Sequence, residues 1–213
     1  VKVGQITDAG NFDPWVRLYG PDGVLVGSSF DAAAAEVTAR ATNSGTFLVV
    51  VGNNPYNSDA GNGTYLLTLA KTGSPIVVSV GDEGGPMTNG VAYQGNQPIG
   101  DLDVWSFTAS AGQSVLVRAG QINETNSFAP WVRLYGPDGA LIGSDWGAAV
   151  GEVTLRTTNS GTFMVVIGNN PYYSDAASGT YLLTLAKTGD PIVVSPGDEG
   201  GQLTGAGVYS GNI

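Results

Sequence analysis

Between Asp101 and Lys187 apolar residues recur at every second position in short runs, and clusters of Gly, Asn, Asp and Pro separate the runs. Alternation of this kind puts one set of side chains on one face of an extended strand. It places Trp105 and Phe107 on the same side of DVWSFTA, with Asp103 at the exposed start of that run. The same spacing sets Val115 with Val117, Val132 with Leu134, Leu141 alone in ALIG, and Val153 with Leu155. Phe163, Val165 and Ile167 follow, then Tyr181, Leu183 and Leu185. Pro137-Asp138-Gly139 and Asn159-Ser160-Gly161 fit type I or II turns, where Gly and Asn accept positive φ. Helical signal is confined to the Ala-rich stretch Asp31 to Glu36. About seven or eight short strands per domain predict an all-β fold, a Greek-key or jelly-roll β-sandwich.

The pattern occurs twice. PWVRLYGPDG at 14–23 returns at 130–139, an offset of 116 residues, and GTYLLTLAKTG returns from 63 at 179. Gly52-Asn53-Asn54-Pro55-Tyr56 maps in the same way onto Gly168 to Tyr172, and Gly81-Asp82-Glu83-Gly84-Gly85 onto Gly197 to Gly201. About two-thirds of the paired positions are identical without a gap, and a period far longer than the ~20–50 residues of a solenoid unit reads as a tandem of small domains. The expected organisation is a first repeat at 1–73 lacking its opening strands, an interdomain segment with a lead-in strand at 74–97, a complete repeat at 98–189, and the start of a third repeat or an exchange tail at 190–213. Residues 98–116 occur once only, which points to a segment of a longer array or a protomer completed by a neighbour.

Composition narrows the chemistry. With no His and no Cys, the usual zinc sites, haem and iron–sulfur ligation, Ser-His-Asp and Cys-His nucleophiles and disulfides are all excluded. A formal charge of −10 repels phosphate backbones and anionic membranes, so nucleic acid is not expected as a partner. No apolar run approaches the ~18–20 residues of a membrane helix, so no membrane insertion is expected. The opening VKVGQITDAG does not read as a signal peptide, which carries no weight in a chain without an initiating Met. For catalysis only a glycosidase-like Asp/Glu pair is left, and nothing singles one out, so the chain is not expected to be an enzyme.

These residues resemble the bacterial pre-peptidase C-terminal domain family. The matching features run in order through Gly100-Asp101-Leu102-Asp103-Val104-Trp105-Ser106-Phe107-Thr108-Ala109, Ala111-Gly112-Gln113-Ser114-Val115 and Leu134-Tyr135-Gly136-Pro137-Asp138-Gly139. Ser160-Gly161-Thr162-Phe163 and Ser178-Gly179-Thr180-Tyr181-Leu182-Leu183-Thr184-Leu185 close the set. The similarity spans nearly all of residues 84–189, and 4–73 without the opening strands. It implies a jelly-roll sandwich of secreted bacterial proteins, often attached to peptidases and sometimes set in long surface arrays, with some collagen-binding relatives that take calcium near the domain start. No peptidase accompanies the repeats here, which favours the array.

Asp82-Glu83 and Asp198-Glu199 lie in Gly-flanked lead-in segments, and Asp101 and Asp103 open the next strand. Calcium wants six to eight oxygens on irregular backbone, and these six carboxylates are the candidate ligands; the plainer reading is acidic loops that keep a turn solvated. Asn54, Tyr56 and Asp59, with Asn170, Tyr172 and Asp175, form long polar loops able to grip sugar or peptide, or to serve as ordinary connections. Trp15, Arg17 and Tyr19, like Trp131, Arg133 and Tyr135, share a strand face that allows cation–π stacking and reads either as a binding strip or interdomain contact or, more plainly, as a face covered by core and loops. The four basic positions of one copy recur in the other, and pairing with retained acids such as Glu36 and Glu152 is expected. The sequons Asn62-Gly63-Thr64 and Asn123-Glu124-Thr125 have no counterparts in the other copy.

Two functions compete. One is a non-catalytic structural repeat protein outside the cell or on the bacterial cell surface, a stalk, array or fibre subunit, with other copies of itself or neighbouring repeats as partners. In its sharper form the segment 190–213 completes the first repeat of the next copy, head to tail. The other is a module binding extracellular polysaccharide or protein through the Asn-Pro-Tyr loops.

Overall fold

The computed structural model describes residues 1–54, 56, 61–73, 75–170, 172, 175–205 and 207–211. Every regular element among them is a strand. Residues 1–68 carry β1 (Lys2–Gly10), β2 (Pro14–Tyr19), β3 (Leu25–Phe30), β4 (Ala34–Glu36), β5 (Leu48–Asn53) and β6 (Asn62–Thr68). Residues 84–187 carry β7 (Gly84–Pro86), β8 (Ala92–Gln97), β9 (Asp103–Ala109), β10 (Ser114–Thr125), β11 (Pro130–Tyr135), β12 (Leu141–Trp146), β13 (Val150–Arg156), β14 (Gly161–Asn169) and β15 (Ser178–Lys187).

The later strands form a β-sandwich. One sheet has the order β13-β10-β15-β8 and the facing one β12-β11-β14-β9-β7, antiparallel except for the β7–β9 pair. Alternation turns Trp105, Phe107, Val115, Val117, Val132, Leu134, Phe163, Val165, Ile167, Tyr181, Leu183 and Leu185 into one buried cluster. The Phe107 and Phe163 rings stack within it at 5.4 Å. The earlier strands form two three-stranded sheets, β4-β1-β6 and β3-β2-β5, around Val3, Val16, Ala35 and Val37. Their registers reproduce those of the larger sandwich: Trp15 pairs with Phe30 and Gly52, and Trp131 with Trp146 and Gly168. The lead-in segment is built into the larger sandwich, since β8 pairs with β15 and β7 with β9.

Three local expectations are corrected. The Ala-rich stretch at 31–36 is not helical, because β4 pairs with β1 and Ala35 fills the core: packing overrides helix propensity. Leu141 is 53% exposed, because a register shift between Leu134 and Tyr135 pairs it with Tyr135 on the outer face. Asp103 is fully buried rather than exposed, since it shares the inward face of β9 with Trp105 and Phe107.

The two units meet face to face. Lys2 and Glu36 are cross-strand partners on the outer face of β4-β1-β6, and that face packs on the outer face of β11 and β14. Arg133 stacks on Trp131 at 4.2 Å and donates a hydrogen bond to the Glu36 carboxylate, both side chains being nearly enclosed. Ala70 and Ile76 pack against Leu102, Tyr135, Met164 and Val166. The Thr68 hydroxyl donates to the Gly100 carbonyl at 2.9 Å, and the Gly73 N–H points at the Met164 sulfur at 3.2 Å. Gly4 and Gly100 abut so closely that a Cβ on either would strike the other's backbone. The expected pairing of bases with Glu36 and Glu152 holds, but the Glu36 pair crosses between units whereas Arg118–Glu152 stays within one.

This difference is measurable. Glu36→Gln removes the counter-charge of a buried guanidinium and is expected to lower the unfolding free energy by about 3 kcal/mol. Glu152→Gln, at a half-exposed pair, is expected to cost less than about 1 kcal/mol. Urea denaturation of both variants at pH 7, followed by Trp fluorescence, checks the ranking.

Candidate metal centre

Where the lead-in segment meets β9, three carboxylates converge. Asp82 closes a turn in which its N–H bonds to the Ser79 carbonyl at 3.1 Å, and Asp101 closes another on Pro98 at 3.2 Å. Turns that end in Asp hold the carboxylate near the backbone: Asp82 Oδ1 accepts from the Glu83 N–H at 3.0 Å and Asp101 Oδ1 from the Leu102 N–H at 2.9 Å. Asp103 arrives from β9. One oxygen from each of Asp82, Asp101 and Asp103 lies within 4.8 Å of the others.

The interior end of the cluster is tied to the core. Tyr181 donates its hydroxyl to Asp103 Oδ2 at 2.5 Å and accepts from Trp105 Nε1 at 3.0 Å. Asp103 Oδ1 is buried with no hydrogen-bond partner among the described residues. So is the whole amide of Gln97, fully buried four residues before Asp101. A buried acceptor without a donor is costly, and a cation is one way to satisfy it.

Burial first, and then the charges of Asp82 and Glu83, push the Asp101 carboxyl up to about 6. Burial pushes Asp103 further, to about 9, against the Tyr181 hydrogen bond and with Asp101 and Asp82 adding to the rise. Burial also drives the Tyr181 phenol upward. Ionising the cluster is therefore costly, and the Lys2 ammonium offsets the cost at Asp101 only in part.

The donor set fits a hard divalent cation. Carboxylate oxygens are the ligands calcium prefers, at about 2.3–2.6 Å from the ion, and three oxygens within 4.8 Å of one another can share one such ion. Asp82, Asp101 and Asp103 would hold it, and the ion would supply charge neutralisation and a cross-link between turn and strand. Glu83 lines the same cleft of about 470 Å³, which runs between β6, residues 76–83 and Asp101. Asp198 and Glu199 are not brought to the cluster; they lie in an exposed turn of the segment that follows β15.

The loop candidates separate. Tyr56 and Tyr172 are 82% and 86% exposed, and they lean on Phe30 and Trp146 at 5.5 and 6.3 Å. Asn54 and Asn170 instead close their own turns by accepting from the N–H of Tyr56 and Tyr172, and Asn170 is buried. Asp175 accepts from the Ala33 N–H at 2.6 Å and so belongs to the contact between units. Asp59 lies outside the described residues.

No family model matches the sequence, and no curated protein matches it either. Among solved structures, the pre-peptidase C-terminal domain of a Bacillus anthracis collagenase is similar at 16% identity, over 49% of this chain and 95% of its own, with a TM-score of 0.40. PliG of Aeromonas hydrophila, a periplasmic inhibitor of g-type lysozyme, is similar at 17% identity over 49% of this chain and 96% of its own, also at 0.40. PliG of Salmonella Typhimurium follows at 18% identity, 50% and 99% coverage and 0.36. Likeness at this level is one of general outline, and it does not place the chain in either family.

A carboxyl whose folded-state value is raised favours the protonated folded form, so its contribution to stability falls as pH rises from the unfolded value through the folded one. The metal-free protein is therefore expected to lose thermal stability between about pH 4 and pH 9, first through Asp101 and then through Asp103. Asp103→Asn should flatten the upper part of that loss. Calorimetry in chelator across this range checks both statements.

Proposed function

We propose that this chain is a non-catalytic, extracellular structural module in which β-sandwich units are locked face to face and calcium braces the junction. The observation that carries the reading is the burial of the Glu36–Arg133 pair between two sheet faces, with a cleft between the units lined by Asp82 and Asp101, whose carboxylates converge with that of Asp103. A flexible linker between independent binding domains needs neither feature. Here the lead-in segment is part of the second sandwich, so tension on one unit passes into the hydrogen-bonded sheets of the next. None of the described elements is a helix long and apolar enough to cross a membrane. Strand complementation between copies belongs to this reading. Residues 208–211 form no strand, while their counterparts in β8 pair with β15, and β6 has an unpaired edge among the described residues.

Hydrogen exchange and small-angle scattering test the locked junction. In millimolar calcium, amides of residues 76–83 are expected to exchange at least about tenfold more slowly than in chelator, and scattering extrapolated to zero concentration should fit one rigid body. A flexible two-body ensemble in calcium, with Asp101→Asn indistinguishable from the parent, would overturn the reading.

A second reading rests on the exposed aromatic pairs Phe30–Tyr56 and Trp146–Tyr172, which present ring faces of the kind that stack on sugars. Affinity electrophoresis against a panel of bacterial polysaccharides discriminates: a sugar-binding module is retarded and loses at least about tenfold in affinity on Tyr172→Ala. Unchanged mobility in every gel removes this reading and leaves the structural one.

A further inference from the structure

We infer that a second copy of this chain stacks on the first, with the outer face of β3-β2-β5 in one copy covering the outer face of β13-β10-β15 in the other. The inference deepens the structural reading and rests on it. The surfaces concerned are the counterparts, 116 residues apart, of the two faces that already bury each other inside the chain.

The first face answers to the one around Arg133. Arg17, Tyr19 and Val50 stand where Arg133, Tyr135 and Val166 stand, and Leu48 takes the place of Met164. Arg17 is already posed, stacked on Trp15 at 3.9 Å as Arg133 is on Trp131, and its Nε is buried with no acceptor among the described residues. What differs is cover. Met164 is 4% exposed beneath the neighbouring unit, whereas Leu48 is 60% exposed.

The second face answers to the one around Glu36. Glu152, Ala186, Gly189 and Ile192 match Glu36, Ala70, Gly73 and Ile76 without change, and Arg118 stands for Lys2. The Glu152 side chain is 37% exposed against 13% for Glu36, and Ile192 is 58% exposed. One free face thus carries a guanidinium beside apolar residues, and the other carries a half-exposed carboxylate held at 3.3 Å by Arg118, as Lys2 stands beside Glu36. They repeat the residues of a contact that the chain uses once internally, with Leu48 for Met164 and Arg118 for Lys2. The contact is heterologous, the two faces lie at opposite ends of the stack of sheets, and so repetition extends it rather than closing it.

Inside the chain the buried pair is Arg133 with Glu36; between copies it is Arg17 of one with Glu152 of the other. Because each copy carries a net charge of −10, long-range repulsion opposes approach, and the test is run at physiological salt, where the screening length is about 8 Å. Association is read by sedimentation velocity of the full chain between micromolar and millimolar concentration, in calcium. The parent is expected to grow in size with concentration without stopping at a dimer. Arg17→Glu and Leu48→Lys are each expected to weaken association at least about tenfold with an unchanged thermal transition, and the exchange Arg17→Glu with Glu152→Arg in one chain is expected to restore it. Ser210→Pro, which disturbs strand addition by the last residues and touches neither face, is expected to leave stacking in place.

A parent that stays monomeric at millimolar concentration overturns the inference while leaving the rigid junction of the single chain standing. Association lost on Ser210→Pro but indifferent to Arg17→Glu and Leu48→Lys overturns it too, and assigns assembly to strand exchange alone.

Discussion

The buried ion pair between Glu36 and Arg133, set between two sheet faces, governs how the two units are put together. Taking Glu36 and Arg133 out of water is expensive, and the pair is tolerable only because it is framed: Trp131 lies under the guanidinium, Lys2 stands beside the carboxylate, and Ala70, Ile76, Tyr135, Met164 and Val166 exclude solvent nearby. Burial works against the charge on Glu36, yet Arg133 and Lys2 hold its carboxyl below the ordinary range. Such a pair contributes register more than raw stability. It admits one placement of the faces, since any slide would leave a buried charge unmatched.

The acidic cluster depends on that placement. The cleft holding Asp82 and Asp101 is walled on one side by β6 of the first unit and on the other by the start of the second sandwich. If the units parted, the carboxylates would regain water and repulsion between them would fade. Held together, they are costly to ionise, a cost that protons or a divalent cation relieve, so the junction's stability is coupled to its ionic surroundings. Tyr181 and Trp105 link this charge to the core, so a change at the surface turn is felt at a fully enclosed side chain.

Much of the architecture was legible from residue order. Alternation located the strands, and because a strand has only two faces it also sorted Val132 and Leu134 from Trp131 and Arg133. The metal candidates are legible in the sequence, Asp82 as an acid in a Gly-flanked segment and Asp101 and Asp103 as acids opening a strand. The burial of Asp103 is not legible there, since an acid at the head of a strand reads as exposed unless a tyrosine 78 residues later is known to donate to it. Leu141 failed for a related reason: one shifted register turns a residue over, and nothing in ALIG announces the shift. Asn170 and Asp175 looked like ligand-binding groups because a side chain satisfying its own turn, or a neighbouring unit, has the same sequence as one awaiting a ligand.

Residue order alone thus determined the β class, the repeat and the absence of thiol and imidazole chemistry, because these follow from local periodicity and composition. The tertiary structure decided which of two matching faces is buried. Arg17 and Arg133 sit in the same PWVRLYG, and Glu36 and Glu152 both sit in an Ala/Gly-rich stretch before Val-Thr. Only the packing of one unit on the next selects Arg133 with Glu36, through contacts spanning 97 residues that no local pattern encodes.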